Sequence, residues 1–280
     1  MKLEIVLIYA VFMSFALLEA FRTGFLRKAG ATRDDAIVES VTGVILLALI
    51  QPTIILTAAK LMSVIAPQYA GALSGLPFIA GFLLLLLADD LTNYWWHRNA
   101  HARPSFYKLH RPHHEGEYMS VRIVFRNGIF YYVFAPYYWI GGVLIFMGLG
   151  PAYAVYLFFK ALITFAVHSD IPWDKPLYTN KWTSKLMWVV ERVIVTPSFH
   201  HAHHGKHKAD GVTQYKGNFG NLLSLWDVIL GTAHITRKFP QAYGIENLPE
   251  TSIGEQLLWP LIKSSPPIKE SEKPISASSA

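Results

Sequence analysis

The chain contains no cysteine among its 280 residues. That excludes disulfides, thiolate metal ligands and a cysteine nucleophile. Charge is also scarce: 16% of residues are Asp, Glu, Lys or Arg, where a soluble domain approaches about 25%. The net charge of +6 is spread between apolar runs and forms no basic tract, so nucleic acid is not an expected partner. A membrane protein with its basic loops on the cytoplasmic side acquires the same balance. No H-E-x-x-H is present, which removes the general base of an intramembrane zinc protease. No internal repeat is evident either. What the chain has instead is 52% hydrophobic residues, 14% aromatics and 12 histidines.

A membrane span needs about 20 mostly apolar residues. Residues 3–21 meet that requirement, with Glu4 and Glu19 near the ends. No small-residue cleavage site follows, so an uncleaved span is expected. Residues 37–65 form a second run, expected to break at Gln51-Pro52. Residues 76–91 begin a third that continues as helix through Tyr94, Trp95 and Trp96. Residues 129–149 and 151–168 are divided by Gly150-Pro151, a hairpin signal. Arg22, Arg27, Lys28 and Arg33 crowd the first connection, while residues 66–75 carry no charge. The basic loop is therefore cytoplasmic and the amino terminus outside. The expected fold is an all-α integral membrane protein with four to five transmembrane or re-entrant helices and a cytoplasmic helical cap. Its divisions are an N-terminal transmembrane hairpin (1–75), a catalytic domain (76–240), a C-terminal segment (241–263) and a Pro-, Ser- and Lys-rich disordered tail (264–280).

This topology places every histidine on the cytoplasmic side or at a helix end facing it. Eleven of the 12 fall in four groups: His97 with His101; His110, His113 and His114; His168 alone; and His200, His201, His203, His204 and His207; His234 stands apart. Helical residues at i and i+4 share a face, so His97 and His101 can hold one ion. Asp90 and Tyr94 precede them on that face, placed to accept imidazole N–H groups. Pro112 disfavours helix at Arg111, so His113 and His114 are expected to open a new helix after His110. Thr196 and Pro197 mark a helix start from which His200, His203 and His204 share a face. His201 points about 100° away, and Gly205 is a natural stop. A lone histidine such as His168 or His234 is more often a core or surface residue, and a histidine tract can be a weak scavenging loop. Three clusters with H-x3-H and H-x2-H-H spacing, each closing an apolar segment, point instead to a structured metal site.

Eight or nine imidazoles exceed what one tetrahedral zinc uses. Two metals with four or five imidazoles each fit better, although ligand type alone admits Zn, Cu, Fe or Ni. Two irons at the membrane surface would serve O2 activation and attack on an unactivated C–H bond. A metal transporter is the rival reading, but its ligands should line a path at membrane depth. Here the third span reaches its first histidine only after leaving the core.

The combination D-x3-Y-x2-H-R-x2-H, H-x2-H-H, T-P-x2-H-x2-H-H and N-F-G-N-L-L-S-L-W-D-x3-G-T, spread over roughly residues 80–235, resembles the fatty acid hydroxylase/sterol desaturase superfamily. The resemblance implies a membrane-embedded di-iron oxygenase that hydroxylates or desaturates a lipid such as a fatty acyl chain or sterol. It implies electrons from cytochrome b5 or a ferredoxin-type donor with its reductase. The haem-binding H-P-G-G of a fused cytochrome b5 domain is absent, so that donor is a separate protein. Carried over by position, the iron ligands are His97, His101, His110, His113, His114, His200, His203 and His204, with His168 as the additional histidine between the second and third boxes. The resemblance assigns no ligand role to His201 or His207. Asn218 is a candidate supporting contact or turn residue, and Trp226-Asp227 an anchor for the C-terminal fold. A non-catalytic scaffold of the same fold, the other rival, would typically have lost box histidines, and all eight are present. The segment M-S-V-R-I-V-F-R-N-G after the second box does not identify the substrate.

Overall fold

The apolar runs become helices, which satisfy every backbone polar group internally, as a bilayer demands. A computed structural model describes residues 2–25, 28–249 and 251–264. Helix α1 spans Lys2–Arg22, α2 Arg33–Ile65 and α3 Phe78–Ala102. Helix α4 covers Pro104–Glu115, α5 Pro136–Leu144, α6 Gly150–His168 and α7 Pro197–His203. Among the described residues there is no strand, only an isolated bridge between Gly205 and Tyr243. Three described runs are long and apolar enough to cross a membrane: α2, α3 and the stretch Ile129–His168 that contains α5 and α6.

Three expected breaks resolve differently. The second span does not break at Pro52. Helix α2 opens on a capping box, with the Thr32 hydroxyl and the Asp35 carboxylate each taking the other's backbone N–H. It then runs on through a π turn at Leu46–Ile50, where Gln51 N–H reaches back to the Leu46 carbonyl. The wider turn absorbs the proline that follows it. The hairpin reverses at Gly148, whose φ of 108° needs a glycine, two residues before the predicted Gly150-Pro151. Pro151 instead occupies the first turn of α6, where a missing N–H leaves nothing unpaired. The third difference matters most for the site. The chain breaks at Arg103 (φ −113°, ψ 121°), immediately before Pro104. Helix α4 then continues unbroken through Pro112. Burial of the last turn's histidines in the assembled core outweighs the local pre-proline preference.

The expected continuation of α3 through Trp96 is present, and it ends only at Ala102. Buried acids near the ends of α1 and α2 grip the segment after the second histidine group. Glu19 accepts Ser120 Oγ at 2.6 Å and Val121 N–H at 3.0 Å. Glu39 pairs with Arg122 at 2.7 Å and Asp35 with Arg126 at 2.6 Å. From the C-terminal segment, Gln256 accepts from Arg126 at 3.0 Å and Glu255 from Arg111 at 3.1 Å. The predicted disordered tail lies outside the described residues beyond Ser264, whose N–H donates to Glu255 at 2.6 Å.

Candidate metal centre

Helix periodicity explains how the site is assembled. The pairs His97/His101 on α3, His110/His114 on α4 and His200/His204 at the end of α7 are each i, i+4 and so each share a face. The structure sorts the side chains into two buried groups: His97, His101, His110, His114 and His203; and His113, His168, His200 and His204. Within a group the nitrogens lie within 4.8 Å of one another. The two H-x2-H-H motifs play mirrored parts. On α4 the i, i+4 pair serves the five-membered group while His113 crosses to the other. On α7 the pair His200/His204 serves the four-membered group while His203 crosses over. Helix α3 feeds only the first group and α6 only the second. Continuity of α4 through Pro112 is what lets one helix supply both.

Hydrogen bonds fix which nitrogen faces inward. His97 Nδ1 lies 2.8 Å from the Phe219 carbonyl and His203 Nδ1 2.8 Å from that of Gly217. His113 Nδ1 meets the Ile123 carbonyl at 3.0 Å, and His168 Nδ1 that of Thr164 at 2.8 Å. His110 Nδ1 meets Asn127 Oδ1 at 2.6 Å. A carbonyl only accepts, so each Nδ1 carries the hydrogen and each Nε2 presents a lone pair. Burial holds His110, His113, His114, His200, His203 and His204 far below the ordinary imidazole pKa, and neighbouring histidines push the same way. These rings are neutral donors at neutral pH.

The consequence is a pair of confrontations. His203 Nε2 faces His97 Nε2 at 3.0 Å in the first group, and His168 Nε2 faces His113 Nε2 at 3.2 Å in the second. Both partners have their hydrogen on the far side of the ring. Two lone pairs that close repel unless a cation lies between them. His101 Nε2 is likewise buried without a hydrogen-bond partner. With metal–imidazole bonds of about 2.1 Å, ligands at right angles lie about 3.0 Å apart and tetrahedral ones about 3.4 Å. Five Nε2–Nε2 separations within the groups run from 2.9 to 3.2 Å, the right-angle spacing. The donor set therefore fits two borderline transition-metal ions.

Two supporting residues do not act as the sequence pattern predicts. Asp90 accepts from Leu222 N–H and Leu223 N–H at 3.1 Å each and from Trp226 Nε1 at 2.9 Å, touching no imidazole. Tyr94 bonds Thr232 and Arg98 instead. Both side chains are taken up by the 217–232 loop or its neighbours, and that loop sends main-chain oxygens to the histidines. Asn218, at φ 55°, joins the Phe199 and His234 main chains through its amide. It thus holds the loop whose flanking residues, Gly217 and Phe219, accept from His203 and His97. Asp227 fastens the same loop through Phe219 and Gly220 N–H. Asn127 is the partner that sequence reasoning missed, though it sits in the R-N-G segment that resisted assignment.

His201 is buried, with Nδ1 2.8 Å from Tyr243 Oη and Nε2 3.0 Å from the Ser169 carbonyl. Both ring nitrogens are engaged, and burial lowers its pKa to about 4. It ties α7 to neighbouring chain and belongs to neither group. His207 is exposed beside Glu246, and His234 is partly exposed. Thr196 stands at the N-cap position of α7 without capping it; Asp174 accepts the Ser198 N–H at 2.8 Å in its place. Gly205 ends the helix where a Cβ would strike Thr213 Oγ1 at 2.0 Å.

A cavity of about 160 Å³ opens beside the two groups. Its wall includes His97 and His110 from the first and His113, His168 and His200 from the second. From there it extends among residues of α1, α2, α3, α5 and α6, including Ile8, Leu47, Leu157 and Phe165. The site joins a metal-binding donor set to a partly apolar space between the helices.

Among curated proteins, the chain is 26% identical over 150 residues to alkylglycerol monooxygenase of Danio rerio, 53% of this chain and 29% of that protein. It is 28% identical over 163 residues to the Xenopus tropicalis protein of the same name, 58% and 32% respectively. Methylsterol monooxygenase 1-3 of Arabidopsis thaliana matches at 41% over 54 residues, 17% of this chain and 19% of its own. The chain spans about three tenths of the length of the alkylglycerol monooxygenases it matches. No solved structure matches. The fatty acid hydroxylase family matches over residues 82–232, a stretch that holds all nine clustered histidines and the 217–232 loop that orients two of them. The chain belongs to the fatty acid hydroxylase family.

Proposed function

We propose that this protein is a membrane-bound di-iron oxygenase that hydroxylates or desaturates a lipid using O2 and electrons from a separate donor protein. The observation that carries the reading is the facing Nε2 lone pairs of His97/His203 and His113/His168, one pair in each group, beside a cavity that runs into the membrane-spanning helices. His97, His101, His110, His114 and His203 would hold one iron, and His113, His168, His200 and His204 the other. Bound there, iron supplies the activation of O2 needed to attack an unactivated C–H bond. The chain's own part is positional. Main-chain carbonyls keep the Nδ1 hydrogens of His97, His113, His168 and His203 turned away from the metals, and the largely apolar cavity would bring one carbon of the lipid to the histidines. Names of the relatives, both lipid monooxygenases, support the reaction class.

The helices that bear the histidines would meet the cytoplasm, with four to five membrane-embedded segments and the amino terminus outside, as the basic 22–33 connection favours. Cytochrome b5 or a ferredoxin-type protein with its reductase would deliver electrons on that face. The test is comparative lipidomics of cells with and without the chain, together with metal analysis of purified protein. A product heavier by one oxygen or lighter by two hydrogens, with two irons per chain, is expected. An unchanged lipid profile with a reducible, iron-loaded protein would end the oxygenase reading.

A further inference from the structure

The cavity holds an ion pair that the histidine chemistry does not use. Asp89 on α3 and Lys160 on α6 are bonded to one another at its wall, with side-chain exposures of 2% and 13%. Tyr156 Oη donates to the same Asp89 oxygen at 2.6 Å. The Lys160 ammonium also stands 4.6 Å from the Tyr137 ring centre and 5.7 Å from that of Tyr156. Each member of the pair lies eight residues before a histidine of the site, Asp89 before His97 and Lys160 before His168. Eight helical residues rise about 12 Å. The pair therefore faces the same cavity as the two histidine groups, about two turns deeper between the helices.

Ionisable side chains inside membrane-spanning helices are costly and mark function by default. If clamping α3 to α6 were the whole purpose, a well-packed apolar pair would serve as well or better. Nor would a clamp need to face the cavity. Around the pair the wall carries groups that both donate and accept, among them Gln51, Asn93 and Tyr153. Such a lining suits oxygen without formal charge. A carboxylate entering here would meet the charge of Asp89 at close range. Whether it shared Lys160 or took it, two buried carboxylates would be left with one ammonium between them.

We propose that the Asp89–Lys160 pair selects the substrate of this cavity, admitting lipids whose polar group is uncharged, such as an alcohol, ether or ester, and barring free carboxylates. The proposal rests on the lipid-oxygenase reading for its substrate, but it concerns binding and can be tested without turnover. Hexadecanol and hexadecanoate provide a matched pair of probes, with binding to the purified, iron-loaded full chain followed in mildly alkaline detergent solution. The wild-type protein is expected to bind the alcohol at least about tenfold more tightly, since like charges brought together across a binding surface are strongly disfavoured. Asp89→Asn leaves Lys160 charged and should reverse the preference. The double variant Asp89→Asn/Lys160→Met removes both charges and should weaken the discrimination.

Equal binding of the two probes by the wild type overturns the proposal whatever the variants do. So does an unchanged preference in a folded Asp89→Asn protein with normal iron content. If the preference reverses but no lipid is ever oxidised in the presence of O2 and reductant, selection by the pair stands and the oxygenase reading falls.

Discussion

The two histidine groups are unequal, and the inequality is instructive. The five-membered group is built from two i, i+4 pairs, His97/His101 and His110/His114, closed by His203. The four-membered group has one such pair, His200/His204, and depends on single contributions from His113 and His168. Three of its four members line the cavity, against two of five in the other. A chelating pair on one helix turn survives the loss of a third partner better than two lone side chains on different helices do. The first group is thus the sturdier holder, and the second is the one more open to whatever enters the cavity.

That contrast can be broken by experiment. His168→Ala should have the largest effect, because His168 is the only residue α6 contributes and no neighbour on its helix can replace it. Loss of one of the two irons and turnover at background are expected, read by metal analysis and product formation. His101→Ala leaves four imidazoles around its metal. Both irons should be retained at neutral pH, with activity reduced but still above that of His168→Ala. If His101→Ala strips its iron as completely as His168→Ala, the groups are equivalent and the distinction fails. Asn127→Leu should act more mildly, lowering metal affinity by on the order of tenfold, since it removes the acceptor of His110 Nδ1 and leaves the ligand itself.

Acidity comes last, with an effect read in stability and not in turnover. Six of the histidines outside the spans have pKa values pushed down by burial. Below about pH 6.5 the unfolded chain takes up protons on these side chains while the folded chain does not. Stability must therefore fall as pH drops through that value, by up to about 1.4 kcal/mol per pH unit for each group. It goes on falling until the much lower folded values are reached. Metal-free protein should melt at progressively lower temperature between about pH 6.5 and 5, and iron-loaded protein should resist until protons displace the metal. A flat melting profile without metal would show that these rings are solvated.

Helix identity and the histidine faces were readable because both depend on local spacing. His97/His101 and His200/His204 meet wherever the chain is helical. The partition into five and four was not readable. It depends on how α4 and α7 lie across one another, and on helix continuing through Pro112 against the local preference of a proline. Asp90 and Tyr94 mislead for a related reason. Their place on the α3 face is as expected, but the 217–232 loop occupies them. The acceptors that serve in their stead are main-chain oxygens, which leave no mark in the identity of a side chain.

That last feature bears on how the family can change. Four of the five resolved Nδ1 hydrogens end on the carbonyls of Ile123, Thr164, Gly217 and Phe219. A carbonyl is supplied by any residue, so drift at those positions leaves the tautomers of four rings untouched while the backbone keeps its path. Asn127 is the exception. It is the position where a single codon change, to aspartate for instance, would add charge behind a ring and alter how strongly His110 donates to its metal. A lineage adjusting the proposed iron centre one step at a time would have a small set of handles, and Asn127 would be the most direct of them.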